Sequence, residues 1–174
     1  LEPLLLNPVS PLALVLGKWA AVATVAMLIA LLSCASFLPG QWLLRSETLA
    51  AMFRFGVGEG AMFLALLLPL AGALSALLMA IAIRCRSVKE AQANATALVL
   101  VVSLLPLLTL FNQDGEAPWH LGVPALAQIT LMGRVLKGEP IAAWELSLPL
   151  AVSALLVALC LAFVARSLRG AAVK

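Results

Sequence analysis

Four long stretches of this chain contain no charged side chain. They cover residues 19–38, 61–83, 91–111 and 146–165. An α-helix rises about 1.5 Å per residue, so each stretch would form a helix of about 30 Å, the thickness of a bilayer's hydrocarbon core. Because no water is available there to bind backbone N–H and C=O groups, spanning segments of this kind are helical. The sequence therefore predicts an all-α, polytopic membrane protein, with a single transmembrane domain over residues 1–174.

Composition supports this prediction independently. Apolar residues make up 64% of the 174 residues and charged residues 11%, against about 45–50% and about 25% in a typical soluble domain. The three cysteines, Cys34, Cys85 and Cys160, form no C-x-x-C pair. We expect them to be small residues packed between helices and not a disulfide framework.

The distribution of charge predicts the orientation. With the N-terminus inside, the inner segments 1–18, 84–90 and 166–174 hold seven of the eleven basic residues and two acidic ones. The outer loops 39–60 and 112–145 hold four basic and six acidic residues. Because basic residues concentrate in cytoplasmic loops, both termini are predicted to lie in the cytoplasm, with the protein in the plasma (inner) membrane.

The first residues predict a helix start and a missing upstream part. Ser10 is a good N-cap, and Pro11 fits the first helical turn. Lys18 would then lie at the inner membrane surface. The chain begins with Leu1 and places three prolines before its first span, so we interpret it as a fragment lacking its natural N-terminus.

The outer loops contain turn signals and one unusual segment. Pro39-Gly40 predicts a turn, and the glycines of residues 56–60 predict a flexible entry to the second span. Residues 118–137 are apolar but interrupted by Pro and Gly. Since such short apolar stretches are typically re-entrant or interfacial, we expect a helical segment dipping in from the outside. Within the second span, Gly72 and Ala76 predict a small-residue face for close helix packing.

Catalytic and metal-binding chemistry is not visible in the sequence. The four charge-free stretches also lack histidine, and the chain has one histidine, His120, which we expect to be a surface polar residue. Intramembrane carboxylates and histidines mark ion paths and metalloprotease sites. We therefore predict no enzyme activity, no catalytic residue and no metal site for this chain.

Three motifs resemble one transporter family. Residues 1–10, LEPLLLNPVS, followed by Gly17-Lys18, resemble a stretch of the ABC exporter permeases of the type-two export family. Residues 89–92, KEAQ, resemble a motif of its sodium-efflux permease branch, and residues 123–128, VPALAQ, look like that branch's outer re-entrant segment. The resemblance covers nearly the whole chain.

The resemblance implies a C-terminal half of an export permease that moves an ion or small solute out of the cell. Its partners would be a cytoplasmic ABC ATPase subunit, which holds the ATP and Mg²⁺, and a second permease copy or related permease. The chain itself would bind no cofactor. The alternatives are a non-transporting membrane scaffold or assembly subunit and an intramembrane protease that depends on His120.

The candidate functional residues fall into three groups. Coupling to the ATPase is assigned to Glu2, Pro8, Ser10 and Lys18. The cytoplasmic mouth is assigned to Lys89, Glu90 and Gln92. Possible path-lining residues, for most of which packing between helices is the favoured alternative, are Thr24, Asn94, Thr96, Ser103 and Thr109.

Overall fold

The computed structural model describes residues 10–43, 56–111 and 118–172, and it contains no strand within these ranges. Within these ranges, five α-helices follow one another: α1 Pro11–Leu43, α2 Val57–Ala82, α3 Val88–Phe111, α4 Leu126–Lys137 and α5 Ala143–Ala172. A 3-10 helix, Pro118–Gly122, precedes α4. The all-α prediction is confirmed for the described residues.

Four of these helices are long and apolar enough to cross a membrane. The candidate spans are Leu12–Phe37, Val57–Ala82, Val88–Leu107 and Ala143–Arg169. Each overlaps one of the four charge-free stretches of the sequence. Many large apolar side chains of α1, α3 and α5 are exposed, which fits a protein whose surroundings are lipid and not water.

Helix α2 lies at the centre of the fold. It packs along α1 on one side and along α5 on the other, and it makes smaller contacts with α3 and α4. Consistent with this position, α2 has buried residues along most of its length, from Phe63 to Ala76. Helix α3 is peripheral, because none of its span residues is buried.

The predicted small-residue face of α2 is confirmed. Gly72 and Ala76 are both buried. A Cβ atom added to Gly72 would lie 3.4 Å from Met27 Cε and 3.6 Å from Trp19 Cζ2. Both distances are ordinary van der Waals contacts, so a methyl group would fit here, and it is the burial of Gly72 and Ala76 that identifies the small-residue face.

Two apolar clusters define the two ends of the bundle. At one end Val15 of α1 packs with Val164 and Ala165 of α5, against the last turns of α2. At the other end Leu66 of α2 packs with Leu121 and Leu131. We call the first the basic end and the second the distal end. Residues 118–142, which belong to the distal end, are called the distal segment.

Two predicted breaks in the helices are wrong. Helix α1 continues through Pro39 to Leu43, since a single proline removes only one backbone hydrogen bond and membrane helices tolerate it. Helix α2 begins at Val57, so Gly58 and Gly60 belong to its first turn. The N–H of Gly56 donates to Glu59 Oε2 at 2.8 Å, and this capping bond stabilises a helical start where the glycines predicted flexibility.

Candidate functional site

The charged residues divide unequally between the two ends. The described part of the basic end carries six basic residues and one carboxylate, Glu90; the basic residues are Lys18, Arg84, Arg86, Lys89, Arg166 and Arg169. The described part of the distal end carries two basic and three acidic residues: Glu59, Arg134, Lys137, Glu139 and Glu145. The fold thus gathers at one end of the bundle the positive charges that lie apart in the sequence.

The coupling and mouth residues that the structure describes lie together at the basic end. Ser10 Oγ accepts the N–H of Ala13 at 3.3 Å, so its predicted role as the N-cap of α1 is confirmed. Lys18 is exposed one turn after Val15, a residue of the basic-end cluster. Glu2 and Pro8 lie outside the described residues.

The basic turn between α2 and α3 is held by a capping arrangement. Ser87 Oγ accepts the N–H of Glu90 at 3.2 Å. In return, Glu90 Oε2 accepts the N–H of Arg86 at 2.9 Å. This reciprocal pair stabilises the start of α3 much as a capping box does. Of the three predicted mouth residues, Glu90 thus has a structural role, whereas Lys89 and Gln92 are exposed.

The predicted path-lining residues do not form one set. Thr96 and Ser103 are exposed on α3. They lie four and eleven residues after Gln92, a spacing that puts all three on one face of a helix. Thr96 Oγ1 donates to the carbonyl of Gln92 at 2.9 Å, a bond within the same helix. We call Gln92, Thr96 and Ser103 the α3 polar face.

The remaining path candidates lie elsewhere. The amide of Asn94 donates to Cys85 Sγ at 3.4 Å and so contacts the basic turn. Thr24 is exposed on α1, a helix that packs on α2 and α5. Thr109 lies in the last turns of α3. The structure therefore groups two of the five predicted path residues with a mouth residue.

A hydrogen bond between helices lies inside the bundle. The indole Nε1–H of Trp19 donates to the carbonyl oxygen of Gly72 at 3.0 Å. Nearby, Ser153 of α5 is completely buried, and its hydroxyl has no hydrogen-bond partner. Trp19, Gly72 and Ser153 line the same open groove, about 470 Å³, between α1, α2 and α5. No local pattern in the sequence predicts this contact, because residues 19 and 72 are far apart in the chain.

The distal segment turns sharply at the start of α4. Ala125 has φ 71° and ψ −43°, a strained conformation for a residue with a side chain. The buried side chain of Gln128 stabilises the turn, because its Oε1 accepts the N–H of Ala125 at 2.7 Å. Helix α4 then ends at Gly138, which is left-handed with φ 72°. The N–H of Glu139 donates to the carbonyl of Arg134 at 3.0 Å, which completes a Schellman-type ending.

Arg134 connects the end of α4 to the start of α5. Its Nη1 lies 2.8 Å from Glu145 Oε1, and its Nε lies 3.3 Å from Glu139 Oε2. Its Nη2 donates to the carbonyl of Pro140 at 3.0 Å. Glu145 also caps α5, since its Oε2 accepts the N–H of Ala142 at 2.8 Å. We call these contacts the Arg134 clamp.

His120 is buried and not a surface residue, so the prediction of its exposure is wrong. Its side chain is 3% exposed, and its ring contacts that of Trp119 edge to face, with 4.2 Å between the centroids. The 3-10 helix packs on α4 and α5, and this packing removes His120 from solvent. Its Nδ1 atom has no hydrogen-bond partner.

The described residues contain no group of three or more His, Cys, Asp or Glu side chains that could hold a metal ion. The three cysteines are free; Cys34 and Cys160 are buried, and Cys85 is half-buried. Their predicted role as packing residues is confirmed for the buried pair.

Comparison with known proteins gives no family for this chain. No protein-family model matches it, and neither a curated protein nor a solved structure does.

Proposed function

We propose that this chain is the permease subunit of an ATP-driven ABC exporter. It moves an ion or small solute out of the cell and works with a separate cytoplasmic ATPase and a second permease. The distal segment faces the outside and enters the bilayer as a re-entrant unit. The basic end, with Ser10 and the turn before α3, faces the cytoplasm and receives the movement of the ATPase.

The observation that carries this proposal is the character of α3. Among the four candidate spans it has the lowest mean hydropathy, and none of its span residues is buried. A helix with exposed polar groups is costly to surround with hydrocarbon on all sides. The α3 polar face is therefore expected to lie against protein or along a water-containing path. A path beside the basic turn fits a permease better than a scaffold.

The order of the motifs supports the same conclusion. The residues that resemble the coupling stretch lead directly into α1, and the KEAQ residues open α3. The apolar cluster around Val15, which also contacts Ile83, holds the start of α1 near the end of α2. Movement applied to residues before α1 would thus reach the turn that precedes α3.

Single cysteines on α3 test whether its polar face lines a path. Thr96→Cys and Ser103→Cys, placed in the intact protein without its natural cysteines, should react with a charged, water-soluble thiol reagent. Leu104→Cys is the matched control, because Leu104 is 49% exposed but lies outside the polar face. Equal reactivity at all three positions would contradict a path along this face.

Purification of the intact protein in mild detergent tests whether it is an exporter permease, a scaffold or a protease. An ATP-binding subunit should co-purify, and ATP-dependent flux should appear in vesicles that contain the complex. A stable complex without any ATPase would favour the scaffold. Cleavage of a peptide by the intact protein, lost on changing His120, would favour the protease.

A further inference from the structure

A second groove opens at the basic end, between α1, α2 and α5. Its volume is about 280 Å³. The walls are apolar apart from Lys18, and the lining residues include Leu14, Met79, Ala82, Ile83 and Leu168. The groove is thus shaped by three helices that the core of the fold holds together, and it joins an apolar surface to a positive charge.

Within the described part of the chain, the charges around this groove have no acidic partner. Among the residues that the structure describes, the ion pairs are those of Arg134 at the distal end. Lys18 lies on the groove wall. The guanidinium of Arg84, which follows the wall residue Ile83, lies 5.3 Å from the centroid of the Phe163 ring. The one described carboxylate at this end, Glu90, is bound to the N–H of Arg86. A ligand that carries a negative charge would therefore meet unpaired cations.

The position of Lys18 relative to the membrane further restricts the class of ligand that could bind. Lys18 directly precedes the charge-free stretch 19–38 of α1. A lysine at the end of a membrane-spanning stretch extends its ammonium toward the lipid headgroups. The ligand must therefore be apolar within the span and anionic at its surface. A phospholipid has this form, and basic pockets between membrane helices are known to select anionic headgroups.

We propose that this groove binds one anionic phospholipid. An acyl chain occupies the apolar wall between α1 and α5, and the phosphate contacts Lys18 and Arg84. A zwitterionic lipid is bound less well, because its own cation partly neutralises the phosphate. The inference needs only that the chain spans a membrane and does not depend on transport.

Native mass spectrometry of the intact protein tests the site. The protein is released from nanodiscs that contain equal amounts of phosphatidylglycerol and phosphatidylcholine. We expect one phosphatidylglycerol to remain bound in preference to phosphatidylcholine. Lys18→Gln should weaken this binding about fivefold, the effect of losing one cation at a membrane surface. Lys137→Gln, an exposed lysine at the distal end, is the matched control and should change nothing.

A second variant tests the acyl-chain part. Ala82→Phe fills the groove and should abolish retention, whereas Ala158→Phe, at an exposed position of α5 outside the groove, should not. If Ala82→Phe fails to fold, the comparison of Lys18→Gln with Lys137→Gln still decides. Equal retention of the two lipids, or equal binding by the two lysine variants, would overturn the proposal. So would lipid binding that appears only after residues 1–9 are removed, because those residues would then be the occupant.

Discussion

Ala125 stores backbone strain at a turn that Gln128 holds in place. The backbone of Ala125 has a positive φ. Such a conformation costs about 1–3 kcal/mol for a residue other than glycine. Ala125→Gly should therefore stabilise the protein by about 1 kcal/mol. The measurement is unfolding in mixed detergent and SDS micelles. A variant less stable than the parent would mean that the turn is not strained.

For Gln128 we expect the opposite effect, a loss of stability on substitution. Its Oε1 is the partner of the Ala125 N–H in a buried site. Gln128→Leu leaves that N–H without an acceptor, at a cost of about 1–3 kcal/mol. The same unfolding titration measures the loss. Ile129→Ala changes an adjacent, exposed residue of α4 and should have a smaller effect. Equal losses in the two variants would argue against the hydrogen bond.

Trp19 joins α1 to α2 through a single hydrogen bond. Trp19→Phe removes the Nε1–H that binds the Gly72 carbonyl and retains most of the aromatic contact. Hydrogen bonds between membrane helices contribute about 0.6 kcal/mol on average and about 1.7 kcal/mol at most. We expect destabilisation within that range in the same titration. A loss well above it would show that packing, and not the hydrogen bond, is the main contribution of the indole.

Single residues were predictable where their role is local. The N-cap role of Ser10 follows from its own neighbours in the chain. The contacts of Trp19 and the burial of His120 depend on which helices meet, and a sequence with few polar residues gives no signal for those pairings. His120 was predicted at the surface because the packing of the 3-10 helix onto α4 and α5 is a tertiary property.

At the scale of elements, the start of α3 depends on Ser87. Ser87→Ala removes the acceptor for the Glu90 N–H, and loss of an N-cap costs about 1 kcal/mol. Hydrogen exchange of the first amides of α3 should therefore accelerate about fivefold in nanodiscs. Ser167→Ala, inside α5 at the same end of the bundle, is the control. Unchanged exchange after Ser87→Ala would contradict the capping role.

The Arg134 clamp holds α4 against the start of α5. Arg134→Gln removes both ion pairs and leaves the Glu145 carboxylate without its 2.8 Å partner. We expect lower stability and faster hydrogen exchange in residues 138–146. The reason is that the remaining carboxylate has little access to water and loses its compensating charge. Lys137→Gln, one helical turn away and exposed, should leave exchange there unchanged. Equal effects of the two variants would argue against the clamp.

Helix existence was easier to predict than helix ends. All four spans follow from the absence of charge over about 20 residues, a constraint that the bilayer imposes directly. The observed helix ends differ from the predicted ones at Pro39, Gly58 and Gly60. These residues were expected in turns and lie inside helices. The turn preferences of Pro and Gly are averages over soluble proteins. A capping carboxylate such as Glu59 can stabilise a helix start at glycines, and a long membrane helix can continue through a proline.

At the scale of the whole molecule, the fold separates charge as the positive-inside rule expects. One end of the bundle is formed by the start of α1, the end of α2 and the end of α5. This end carries most of the described positive charge. The α3 polar face leaves that end along a helix whose span has no buried residue among those described. In the proposed exporter this exposed helix would meet the second permease or the path.

Cysteine labelling of the intact protein in cells tests whether the chain crosses a membrane with its basic end in the cytoplasm. In a background without the natural cysteines, Val88→Cys marks the basic end, where residue 88 is 84% exposed. Lys137→Cys marks the distal end, where residue 137 is exposed. A membrane-impermeant maleimide should label position 137 in whole cells and position 88 only after the membrane is permeabilised. Labelling of position 88 in whole cells would contradict this orientation.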